Sequence, residues 1–117
     1  MSFNRCEDYL NHMAQAIHLA LSYIDGLHLA DFLDDTCTQQ ACIMNVLIIG
    51  EVATKLMNEY PDFVAQHPEI EWQSMRGMRN RIAHGYFDID LEVVWETLQT
   101  ALPDLQNKIQ AIQKGQD

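Results

Sequence analysis

Apolar side chains recur along this chain at intervals of three and four residues. That spacing returns to one face of an α-helix, and nothing alternates as a strand would. Leu10, Met13, Ile17, Leu21 and Ile24 form one stripe and predict a helix from about Phe3 to Ile24, with Gly26 as its stop. Ala16, Leu19 and Tyr23 widen the apolar arc beyond what one neighbour needs, so this helix has two surfaces to cover. A short helical turn around Leu29–Leu33 comes next, and Asp34-Asp35-Thr36 reads as a helix-starting cluster. The helix it starts, roughly Thr38 to Glu59, is apolar nearly all round. Ile43, Val46, Gly50, Ala53 and Met57 line one side, Ile49, Val52 and Leu56 a second, Met44 and Ile48 a third. Such a helix is either central or shared with a second subunit. In a small domain the shared reading is attractive, and Gly50 and Ala53 would let another helix approach closely.

Pro61 to Pro68 reads as a connection with a short helical turn. A third long helix is predicted from Ile70–Glu71 to His84-Gly85, where glycine is a usual terminator. The last begins near Ile89–Asp90. Its stripe of Leu91, Val94, Trp95, Leu98, Leu102, Leu105, Ile109 and Ile112 keeps phase across Pro103, which falls on the wet side with Glu92, Glu96 and Gln110. One kinked helix, or two nearly collinear ones, is expected there. Trp72, Met75, Met78 and Trp95 read as core. The predicted fold is all-α: an antiparallel four-helix bundle with short accessory helices, one domain over residues 1–117.

Composition narrows the setting. A chain of 117 residues supports one modest core. No run of eighteen apolar residues predicts a membrane span, and the first residues, Met1 to Asp8, lack the pattern of a signal peptide. Cys6, Cys37 and Cys42 are an odd set without a CxxC pair, which fits a reducing cytoplasm better than a disulfide framework or a zinc ribbon. The net charge of −10 is unfavourable to broad, non-specific nucleic-acid binding. Any RNA contact has to be local.

One segment supplies such a locality. Arg76, Arg79 and Arg81 are three of only seven basic residues, and they precede His84-Gly85-Tyr86-Phe87. Scarce positive charge gathered beside one imidazole makes an anion site, with phosphate the natural occupant. On the helical wheel Arg79 falls within the apolar arc, between Trp72 and Ile82, where a guanidinium is costly unless it is paired or faces a polar cleft. Asn80 and His84 share a more polar face. Metal-free RNA cleavage needs a base for the 2′-hydroxyl, a proton for the leaving 5′-oxygen and positive charge for the transition state. Histidine can take either proton role, and arginine suits the non-bridging oxygens. One of each is thin for the task; two copies across a symmetric dimer would double the set. The bland reading is also open: Arg79 pairs with a buried acid such as Glu51, and His84 is a satisfied residue near a helix C-terminus. Glu51 is either an anchor for Arg76 or Arg79 or an interface residue.

Elsewhere the chemistry is sparse. His12 and His18 share no face and have no carboxylate or cysteine at metal spacing; His28 and His67 sit in connections, so no metal site is expected. Asp31, Asp34 and Asp35 read as helix-start chemistry and solvated surface.

Gly50-Glu51, Trp72, Arg79-Asn80 through His84-Gly85-Tyr86-Phe87, Trp95 and Leu102-Pro103-Asp104-Leu105 resemble, in that order, the HEPN-domain proteins of the HepT type. These are toxin partners of minimal nucleotidyltransferase (MntA-type) antitoxins, and the resemblance covers nearly the whole chain. It implies a dimeric, all-helical, metal-independent ribonuclease without a cofactor, acting on RNA, with tRNA among the candidates, and neutralised by its nucleotidyltransferase partner. It implies that Arg79 and His84 are the nuclease residues and Asn80 the polar residue that follows the arginine. It also implies that Tyr86 is where the partner attaches AMP. Arg76, Arg81 and Glu51 are then expected to bind phosphate or to support the residues that do. The competing class is a non-catalytic module that holds a nucleotide or completes a separate nucleotidyltransferase.

Overall fold

A computed structural model describes the backbone of residues 5–115 and all their side chains but that of Tyr86. The helices are α1 (Arg5–Ile24), α2 (Leu29–Leu33), α3 (Thr36–Glu59), α4 (Pro61–Gln66), α5 (Trp72–His84), α6 (Leu91–Glu96) and α7 (Leu102–Gly115). The fold is the all-α bundle that the periodicity predicts. The expected start at Phe3 lies outside the described residues. Local chemistry sets the other boundaries. Gly26 turns the chain just after α1 at a φ of 80°, a conformation glycine adopts without steric cost. Asp35 caps α3: its carboxylate accepts from the Thr38 amide at 3.0 Å and from the Thr38 hydroxyl at 2.6 Å. Those bonds hold the Asp35 carboxyl below its ordinary pKa. Asp90 caps α6 by accepting from the amides of Glu92 and Val93.

α3 is the central helix, with α1 on one side and α5 on the other; α7 covers the far side of α1. The wide apolar arc of α1 is covered within one chain only in part, since Leu19 is half-buried and Tyr23 is 40% exposed. Leu10, Met13 and Ile17 are fully buried, and so are Ala16 and Ala20 on the flank, which small side chains leave open to a second neighbour. Two of the three sides of α3 are buried in the same way. The third is not: Met44 is 57% exposed and Ile48 37%. Alone among the described helices, α3 is long and apolar enough to cross a membrane, but half of its most apolar window is buried inside the bundle. Its two buried polar residues are satisfied. Gln39 donates to the carbonyls of Phe32 and Leu33, closing the end of α2, and Asn45 donates to Ala41 one turn back.

The stripe across Pro103 continues as expected, by a device the sequence does not announce. Between α6 and α7, residues Thr97–Ala101 form a π-turn in which the Leu102 amide reaches back to Thr97. Proline has no amide hydrogen to give, and its ring crowds the carbonyl four residues earlier; a wider turn just before it relieves that crowding. The chain stays helical from Leu91 to Gly115, and Leu98, Leu102, Leu105 and Ile109 remain in one buried row. Trp72 is buried and donates its indole N–H to the His67 carbonyl at 3.0 Å. Met75, Met78 and Trp95, expected as core, are only half-buried. The two methionines face a hollow between α3, α5 and α7, and Trp95 packs its ring 5.2 Å from that of Phe32.

Candidate active site on the motif helix

The position of the motif is set by one close approach. A Cβ on Gly50 would collide with Cβ of Arg79 and lie 2.8 Å from the carbonyl oxygen of Met75. Only glycine lets α5 settle this near α3. The sequence suggested that Gly50 admits a helix of a second subunit; the helix it admits is α5 of the same chain. This contact carries Arg79 into the α3 surface, and its side chain is 27% exposed.

Two groups of α3 receive the guanidinium. Nη2 donates to the hydroxyl of Thr54 at 3.1 Å, and Nε lies 3.8 Å from a carboxylate oxygen of Glu51. The second separation is within Coulombic reach but too long for a hydrogen bond. Nε is accordingly buried with no hydrogen-bond partner among the described residues. Of the two arginines that Glu51 was expected to anchor, it lies beside Arg79 rather than Arg76, and its side chain stays 54% exposed. Arg76 instead donates to Gln73 at 2.9 Å. Thr54 was not singled out from the sequence. The available signal was spacing: Gly50, Glu51 and Thr54 share one face of α3, and only Thr54 offers a hydroxyl there.

His84 is the last residue of α5 and is exposed, as is Asn80 one turn earlier. The helix stops at Gly85, whose amide closes on the Arg81 carbonyl at 3.0 Å, and a 3₁₀ turn over Tyr86–Asp88 leads away. The backbone places Tyr86 directly after the helix end; the expected exposure of its hydroxyl lies outside the described side chains. Phe87 beside it is 98% exposed.

The three arginines do not form one cluster. Residues two apart on a helix point about 200° apart, so Arg81 leaves α5 on the side away from Arg79. There it lines the rim of a mostly apolar hollow of about 210 Å³ with Met78, Leu102 and Leu105. Among the described residues no carboxylate pairs with it, and its nearest polar partner is the Met78 sulfur at 4.0 Å. The described residues hold no cluster of His, Cys, Asp or Glu arranged to bind a metal. Burial pushes the Cys42 thiol up to about 11 and also raises that of Cys6, so neither supplies a thiolate nucleophile near neutrality.

The profile of the family described as Ribonuclease HepT-like matches residues 13–112, which include every residue of this site. The chain belongs to the ribonuclease HepT-like family. A protein of Thermococcus cleftensis named "Probable ribonuclease HepT" is 38% identical over 92% of this chain and 96% of its own length. A protein of Caldanaerobacter subterraneus subsp. tengcongensis named "Putative RNase TTE0752" is 28% identical over 89% of this chain and 90% of its own. No solved structure gives a significant match.

Proposed function

We propose that this chain is a metal-independent endoribonuclease, the toxin of a two-component system, with Arg79 and His84 as its catalytic pair. The observation that carries the reading is the placement of Arg79. A half-buried guanidinium is held against α3 with Nη hydrogens to spare, a few residues before an exposed histidine, in a chain of the ribonuclease HepT-like family. In the reaction the 2′-oxygen attacks the adjacent phosphorus and the bond to the 5′-oxygen breaks. His84 takes the 2′-hydroxyl proton or supplies one to the departing 5′-oxygen. Arg79 steadies the charge on the non-bridging oxygens. The products are a 2′,3′-cyclic phosphate and a free 5′-hydroxyl.

The pair needs a second copy of the chain. Five residues separate Arg79 from His84, which on a helix is about 7.5 Å along the axis and about 140° around it. The two side chains therefore leave one α5 in different directions. The exposed edge of α3, with Met44 and Ile48 in line with Glu51, offers an apolar stripe that ends beside Arg79. A twofold interface on that stripe would face two motifs across one cleft, where Asn80 could add a polar contact. Arg76 is then the nearer auxiliary cation. The charge of −10 suits a cytoplasmic protein that meets RNA only at such a cleft.

Regulation is assigned to Tyr86. Attack of its hydroxyl oxygen on the α-phosphorus of ATP, catalysed by a minimal nucleotidyltransferase partner with loss of the phenol proton and release of pyrophosphate, would place a phosphate at the mouth of an anion site and repel RNA. Purified chain incubated with total RNA in EDTA should yield 2′,3′-cyclic phosphate ends, and a metal requirement or 5′-phosphate ends would refute the mechanism. Absence of cleavage at any concentration would favour the non-catalytic binding module. Intact-mass measurement after incubation with partner and ATP should show AMP on Tyr86, absent from Tyr86→Phe.

A further inference from the structure

We infer that Thr54 fixes the orientation in which the Arg79 guanidinium meets a phosphate, because its hydroxyl can only accept from Nη2. The inference deepens the nuclease reading and depends on it for its catalytic consequence. A threonine hydroxyl has a single proton to give. Here that proton is committed: Oγ1 donates to the Gly50 carbonyl, one turn back on α3, at 2.9 Å. Lone pairs alone remain toward α5, and Arg79 Nη2 donates to them at 3.1 Å. The direction of the hydroxyl is set by the turn of α3 itself, so the acceptor does not swing.

The rest of the fork follows. Nε is buried and out of reach of any ligand, with Glu51 on its side at 3.8 Å. One Nη2 hydrogen is taken by Thr54. The Nη1 hydrogens and one Nη2 hydrogen are left for a ligand. A phosphate is then met by the Nη groups and not through Nε. The same glycine that admits α5 supplies the carbonyl that commits the Thr54 proton, so helix approach and guanidinium orientation come from one turn of α3. Thr54 is a positioning residue; it has no contact with RNA in this arrangement.

The test compares Thr54→Val, which keeps the shape and removes the acceptor, with Thr54→Ser, which keeps the acceptor. Valine should lower kcat for RNA by about tenfold or more with KM changed by less than about threefold, and serine should restore most of it. Nitrogen-15 NMR of the Arg79 side chain gives an independent readout. Slow guanidinium rotation, seen as resolved Nη signals in the wild type and the serine variant, should be lost in the valine variant. Full activity in the valine variant, or equal loss in both variants, would overturn the inference. If the wild type cuts no RNA, the nuclease reading falls, and the NMR comparison still decides the positioning: identical Arg79 signals in all three proteins would reject it.

Discussion

Arg79 is half-buried against α3 with Thr54 and Glu51 about it, whereas His84, five residues later on the same helix, is exposed and has no hydrogen-bond partner among the described residues. The contrast matches what the proposed mechanism asks of each group. A permanent charge works best when it is fixed before substrate arrives and partly shielded from water, since reorganisation then costs nothing at the moment of reaction. A group that carries protons must come within hydrogen-bond reach of the substrate, and an exposed ring at a helix end is free to do so. The helix serves both by packing one side on Gly50 and ending at Gly85.

The largest expected effect tests that division directly. His84→Ala should lower RNA cleavage by about 10²–10⁴-fold while stability stays within about 0.5 kcal/mol of the wild type. Arg79→Ala should cost a similar factor in rate but also destabilise, by about 1–2 kcal/mol, because it removes the side-chain packing beyond Cβ beside Gly50 and the donor that Thr54 accepts from. Denaturant midpoints beside initial rates decide the matter. Equal destabilisation by both variants would erase the distinction between a held and a free residue.

Gly50→Ala should come next. The added methyl meets the backbone of Met75 and the stem of Arg79, neither of which is a flexible tip that could fold aside. α5 must shift outward, at a cost of about 1–3 kcal/mol, and cleavage should fall although neither motif side chain has changed. Gly77→Ala is the matched control on α5. Nothing lies near the position its Cβ would take, so alanine should stabilise by about 0.5–1 kcal/mol through helix propensity alone. A Gly50→Ala protein as stable and active as the wild type would show that the close approach does not position the motif.

Much of this scaffold was legible in the sequence, because helices announce themselves by period and by caps. Gly26, Asp35 and Asp90 act at or within a residue or two of where their chemistry predicts. The three-sided reading of α3 also holds, with the Met44–Ile48 side left open. What period cannot say is which helix meets which face. Gly50 was rightly read as a place of close approach and assigned to the wrong neighbour, since a small residue records proximity and not the identity of the chain that comes near. The arginines mislead for a related reason. Nearness in sequence suggests one cluster, yet two residues of helix turn Arg81 away from Arg79. Thr54 was invisible because a threonine in an apolar helix usually satisfies itself on the preceding turn. It does so here, and that is why its remaining face is an acceptor.

Arg81 gives the smallest predicted effect and the finest test of the comparison. It shares the motif helix and the charge of Arg79, but it stands at the rim of the hollow facing α7 rather than against α3. It can raise the local potential felt by an approaching phosphate without touching it. Arg81→Ala should therefore slow cleavage by about two- to threefold at low ionic strength, mainly through weaker RNA association. The difference should fade toward physiological salt, where screening shortens the reach of an exposed charge to about 8 Å. Arg79→Ala should show no such relief, since a contact made at the transition state is not replaced by screening. Rates for both variants across a salt series separate the two cases. A loss at Arg81 that is as deep as the loss at Arg79, and as indifferent to salt, would mean that α5 presents its whole circumference to RNA. The division between a held side and an open side would then have to be redrawn.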